Sequence, residues 1–172
     1  MFSKFNNRNI SKLYMQRHGW VKPEFELRDD VYSYGKLTFK TVSIKHAGTA
    51  TLADGLLNFK LEGFWQKRVS VVDGNDVLVG KLKIKAFSST AEFILADGTI
   101  FYLKRSSFWK ARYTWRSDAH GPLLHIHCHA FTKTDEVFIE QSTAPLAWVP
   151  LLSFVGFYLI ITKQRQAAAA GV

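Results

Sequence analysis

A single cysteine, Cys128, is the only thiol in the 172-residue chain. No internal disulfide can staple the fold, so a reducing, cytoplasmic setting is expected. Acidic residues are missing from the first 23 positions, where Lys4, Arg8, Lys12 and Arg17 precede Glu24 without a counter-charge. Residues 1–19 therefore read as a basic segment. It lacks the apolar core of a secretory signal, so export is not expected. Lys4, Arg8 and Lys12 have the spacing of one helix face near an anionic surface, but a solvated leader is the favoured reading. There is also no glycine-rich phosphate loop, no nucleophile elbow, no helical pair of His and Glu and no convincing acid-base constellation. The expectation is a protein that is not an enzyme and takes no cofactor.

What the chain does contain is apolar and basic. Hydrophobic residues make up 47% and aromatics 15%, enough for the core of one domain and too much for a disordered chain. Twenty-three Lys and Arg against fourteen Asp and Glu leave a net charge of +9. Residues 60–116 concentrate that excess, with eleven basic and five acidic groups. Such a balance suits an anionic partner, or only a well-solvated surface. Charge alone does not separate lipid from nucleic acid.

A pattern of four strands recurs about every 44 residues. The best-matched copies put Phe64-Trp65 on Phe108-Trp109, Arg68 on Arg112, and Lys81-Leu82-Lys83-Ile84-Lys85 on His125-Ile126-His127-Cys128-His129. Leu52-Ala53-Asp54-Gly55 returns as Leu95-Ala96-Asp97-Gly98. Turn residues such as Asp73-Gly74-Asn75 between alternating runs are hairpin signals. The first copy starts near Trp20. Three copies of four predict about twelve antiparallel strands over residues 20–162, and a closed barrel of that size is too wide for its own wall side chains to fill.

Residues 144–161, APLAWVPLLSFVGFYLII, hold no charge. A helix apolar on every side is either a core helix or a membrane span, and Lys163 with Arg165 would suit a cytoplasmic membrane end. Pro150 best fits a first helical turn, which leaves 150–161 about 18 Å long against a hydrocarbon layer of about 30 Å. The expectation is therefore a helix through the barrel, with a C-terminal membrane anchor as the alternative. Residues 163–172 read as a disordered Ala-rich tail.

A twelve-stranded barrel of repeated hairpins threaded by an apolar C-terminal helix resembles the tubby C-terminal-like superfamily, which includes LURP-one-related proteins and phospholipid scramblases. The likeness rests on Val71-Val72-Asp73-Gly74-Asn75 followed by Val77-Leu78-Val79-Gly80-Lys81, on Ile94-Leu95-Ala96-Asp97-Gly98-Thr99-Ile100, and on the apolar segment 151–161. It implies a mainly β closed barrel and, as a candidate ligand, phospholipid or phosphoinositide head groups. No stretch matches the tubby phosphoinositide motif residue by residue, so no individual contact carries over.

Candidate anion contacts are Lys81, Lys83 and Lys85, which alternate with Leu82 and Ile84 and so share an outer face. Lys104, Arg105, Lys110 and Arg112 join them, from a cluster that interleaves basic and aromatic residues over 102–116. Such mixtures can grip phosphates or stack on bases, which keeps nucleic acid as the rival partner. Tyr113 and Trp115, however, share a face opposite Arg112 and Arg116 and are expected in the core. His125, His127 and His129 are a weak alternative metal set. Same-face residues lie about 6.8 Å apart on a strand, so a flat row does not converge on one ion. A third reading is a scaffold that binds only protein partners.

Overall fold

The structure is a computed structural model and describes residues 1–6, 9–19, 21–39, 48–62, 68–84, 90–107, 110–129, 132–140, 143–169 and 171. Trp20, Lys85 and the two Phe-Trp pairs of the repeat lie outside them. The strands are β1 (Lys12–His18), β2 (Glu24–Arg28), β3 (Ser33–Phe39), β4 (Gly48–Leu52), β5 (Gly55–Glu62), β6 (Arg68–Asp73), β7 (Leu78–Ile84), β8 (Thr90–Leu95), β9 (Ile100–Ser107), β10 (Arg112–Ser117), β11 (Gly121–His127) and β12 (Thr134–Ile139). The helix α1 (Trp148–Ala169) follows. Each strand pairs antiparallel with its neighbours in sequence, and β1 pairs with β12 to close the barrel.

The repeat is real at the level of strands. β2, β6 and β10 begin at Glu24, Arg68 and Arg112, each 44 residues after the last. The third copy has only three strands before the helix, and β1 supplies the fourth. This corrects the reading of residues 1–19 as a segment outside the barrel: Leu13 and Met15 alternate with Tyr14 and Gln16 and are fully buried. Two inward residues with polar neighbours are enough to make this basic stretch a strand once β12 offers a partner.

The hairpins that join β2 to β3, β4 to β5, β6 to β7, β8 to β9 and β10 to β11 all lie at one end, hereafter the turn end. Their aspartates organise them by accepting backbone N–H bonds, the Asx device. Asp29 Oδ1 accepts from Val31 (2.7 Å) and Tyr32 (2.5 Å), Asp73 Oδ1 from Asn75 (2.8 Å) and Val77 (2.9 Å), and Asp97 Oδ1 from Thr99 (2.8 Å). Tyr34 also donates its hydroxyl to Asp29 Oδ2 at 2.5 Å. Burial alone would raise the Asp29 pKa, but these donors together hold it below its ordinary value. A depressed carboxylate stabilises the fold above its unfolded pKa of about 3.9, and that contribution is lost as pH falls through the lower folded value. Asp29→Asn is accordingly expected to lower the unfolding midpoint at pH 7 and to shrink the difference from wild type below pH ~3. Urea titrations across that range check it, and a constant difference would count against the assignment.

The lumen is filled by α1, in which every residue from 152 to 162 is buried. Its side chains reach opposite walls. The Phe154 ring lies on Gly35 of β3, Tyr158 stacks on Phe59 of β5 with centroids 4.2 Å apart, and Gly156 lies under Trp115 of β10 and Ile126 of β11. Ser153, the polar residue midway, donates to the Val149 carbonyl at 2.7 Å and leaves no unmet bond of its own. A barrel of twelve strands cannot be filled from its walls, and this helix takes the space.

The helix runs past the expected 150–161 at both ends. Residues 163–169, expected to be disordered, continue it, because Lys, Gln, Arg and Ala are strong helix formers and the buried turns have already nucleated the helix. The membrane-anchor alternative does not fit this placement. Among the described residues no helix is long and apolar enough to cross a membrane.

Candidate anion-binding mouth

The two ends of the barrel differ in chemistry. Every aspartate except Asp135 lies at the turn end, in or beside a hairpin. The opposite end, where α1 emerges between strand termini, is a mouth of about 730 Å³. Arg17, Lys110, Arg112, Lys133 and Arg165 line it, with Phe25, Ile160 and Ile161 as apolar floor. His127 and His129 complete the rim.

Strand parity and helix phase explain how these cations converge. Arg17 follows Leu13 and Met15 at the inward positions of β1 but lies at the strand end, so its head reaches the opening rather than the core. Its backbone N–H bonds the Lys133 carbonyl at 2.7 Å, which ties β1 to the connection between β11 and β12. Arg165 stands one turn beyond Ile161, with its guanidinium carbon 4.3 Å from the Phe39 ring centroid. Burial, and after it the positive Arg17, push the Arg165 pKa down. The guanidinium remains charged at neutral pH. The smaller Arg17 contribution reflects a second cation close by, whose repulsion an incoming anion relieves.

Among the described residues, Asp135 is the one carboxylate lining the mouth. Burial raises its pKa, although it accepts the His129 backbone N–H at 2.8 Å and feels the His129 ring. His127 is pushed down, first by burial and then by Arg112, its partner across the strands. It adds little charge at neutral pH. Cys128, inward beside Ile126, is also raised by burial and stays a thiol.

The structure brings Lys110 and Arg112 to the mouth and leaves Lys81, Lys83, Lys104 and Arg105 elsewhere. Lys81 and Lys83 are exposed on the outer face of β7 as the alternation predicts. Carboxylates interrupt that stripe: Lys81 Nζ is 3.9 Å from Glu62, and Lys83 pairs in register with Glu92. Lys104 is exposed on the outside of β9, and Arg105 lies half-buried with its guanidinium carbon 5.9 Å from the Tyr113 ring centroid. Trp115 is fully buried and Tyr113 half-buried, so that part of the aromatic cluster belongs to the core.

The histidine row is bound into the wall. His125 bonds Thr114 Oγ1 at 3.0 Å and Glu140 at 2.9 Å, His129 bonds Glu136 at 3.2 Å, and the His127 ring lies 4.7 Å from that of Phe138. Among the described residues no three His, Cys, Asp or Glu side chains are grouped to hold a metal ion.

Arg17, Lys133 and Arg165 were not among the anion contacts expected from the sequence. The parity of Leu13, Met15 and Arg17 was a usable signal for the first, and the i, i+4 step from Ile161 for the last. No family model, curated protein or solved structure matches the chain, so function has to be argued from the mouth itself.

Proposed function

We propose that this protein is a non-catalytic barrel that binds an anionic phospholipid head group in its basic mouth. The observation that carries the reading is five Lys and Arg side chains around one cleft in which, among the described residues, Asp135 is the single carboxylate. Guanidinium groups offer paired N–H donors that match phosphate oxygens, and lysines add point charge. The apolar floor suits the glycerol and first acyl carbons of a lipid better than a free inorganic ion. The architectural likeness to tubby-like barrels supports the same ligand class.

Cosedimentation with phosphatidylcholine vesicles, with and without a rising fraction of phosphatidylserine or phosphoinositide, tests it. Binding is expected only with the anionic lipids, and it should weaken with salt. Arg112→Glu with Arg165→Glu should lower affinity about 100-fold, since each cation near such a surface contributes about 1 kcal/mol and reversal also adds repulsion. Lys81→Glu with Lys83→Glu should change it little. Equal binding to neutral vesicles sinks the proposal, and an equal loss from the outer lysines moves the site to the wall. Preference for single-stranded nucleic acid, with a steep salt slope, would favour that rival partner.

A further inference from the structure

The turn end exposes apolar side chains where a closed barrel has no need of them. Among the described residues, Val31, Tyr32, Leu56, Val77, Leu78 and Ile100 are large hydrophobics left 38% to 74% exposed, and all six come from hairpins of this end. Beside them is a groove of about 860 Å³ between the hairpins and the start of α1. Leu52, Leu57, Val79 and Leu151 give it an apolar floor, and Asp54 and Asp73 stand on its rim. Exposed apolar residues gathered at one end of the barrel, beside a groove lined by aspartates, suit an interaction site.

The chain itself shows what chemistry the groove accepts. Residues 3–5 lie along it: the Ser3 N–H bonds the Ser33 carbonyl at 2.8 Å, Lys4 Nζ reaches Asp54 Oδ1 at 2.6 Å, and Phe5 meets the Tyr34 ring edge-on at 5.2 Å. A backbone bond, a cation on an aspartate and an aromatic on an aromatic make a complete recognition unit in three residues. The segment covers only part of the surface, for Leu56 is still 40% and Val77 60% exposed.

We infer that the turn end is a docking surface for a basic, aromatic segment of a partner protein, which displaces the chain's own residues 3–5. Charge complementarity selects the partner, since Asp54 and Asp73 line the groove and, among the described residues, the one cation lining it is Lys4. The tethered segment acts as an internal competitor at a high effective concentration and keeps the groove closed to weak binders.

The test uses the full chain and, as probe, a fluorescent peptide of its residues 1–8, MFSKFNNR. Lys4→Glu with Phe5→Ser frees the groove and should bind the probe at least about tenfold more tightly than wild type, by removing the competitor. Adding Asp54→Lys to that variant should abolish the gain, and a probe with Glu in place of Lys and Arg should not bind. All these changes are at exposed or half-buried positions. Phe5→Ser alone, with a smaller gain, provides a second variant should the double change disturb β1. No saturable binding by either opened variant, or binding indifferent to Asp54→Lys, overturns the inference. Self-association of the opened variant in sedimentation would assign the groove to a second copy and overturn it equally.

Discussion

The Phe154→Asp variant is expected to lose its cooperative fold. Phe154 is fully buried in the lumen, and its ring fills the space over Gly35. Removing a buried phenyl group costs about 3 to 5 kcal/mol. The carboxylate that replaces it has no cation on α1 nearer than Lys163, and a buried charge without a counter-charge costs several kcal/mol more. Together these approach the whole stability of a typical domain, about 5 to 15 kcal/mol. Phe154→Leu, which keeps the site apolar, should lose only about 1 to 2 kcal/mol and unfold in a single transition. Circular dichroism during urea unfolding checks both, and native-like cooperativity in the Asp variant would mean that α1 does not lie inside the barrel.

Gly80→Val comes next in size. A β-carbon at this position of β7 would sit 2.7 Å from the Ile94 carbonyl oxygen and 2.8 Å from ring atoms of Phe93, both on β8. The carbonyl belongs to backbone held in a ladder and has little room to retreat. Overpacking of this kind costs about 1 to 3 kcal/mol and occasionally more, and valine should lie at the upper end. In Gly80→Val with Phe93→Ala the ring clash is gone while the backbone clash stays. The double variant should then be about 1 kcal/mol more stable than the sum of the single losses, a coupling typical of residues in contact. Strict additivity in denaturant midpoints would show that the ring does not rest on the glycine.

These two residues illustrate what was legible in the sequence. Gly35 and Gly80 occupy nearly matching inward positions in the first two copies, each followed by an outward lysine, and each lies under a phenylalanine ring. The repeat could be seen from Asp-Gly turns and alternation because both are local properties. The uncharged segment ending at Ile161 was equally visible, and the width of the barrel told where it must go.

β1 was harder to see. Its charge suggested a leader, and its two buried residues form a pattern only beside β12, which is distant in sequence. The mouth was harder still. Arg17, Lys110, Arg112, Lys133 and Arg165 come from both ends of the chain and from two connections between strands, and no spacing rule links them. The outer lysines, by contrast, were conspicuous because they are neighbours in sequence, and in the fold carboxylates temper them.

The closure of the barrel by its first and last strands has a consequence for how the protein is made. Lys12 lies opposite Phe138, so every strand from β2 to β12 must be synthesised before β1 can find its second partner. Until then β1 can pair only with β2, and the growing sheet presents an open edge to the cell. The helix that fills the lumen is translated later still, so the inward faces of Leu37, Phe59 and Phe93 stay uncovered during synthesis. Long-range pairing of this kind slows folding and leaves nascent chains prone to associate. Final assembly therefore waits until both β12 and α1 have been made and released, when the sheet can close around the helix that fills it.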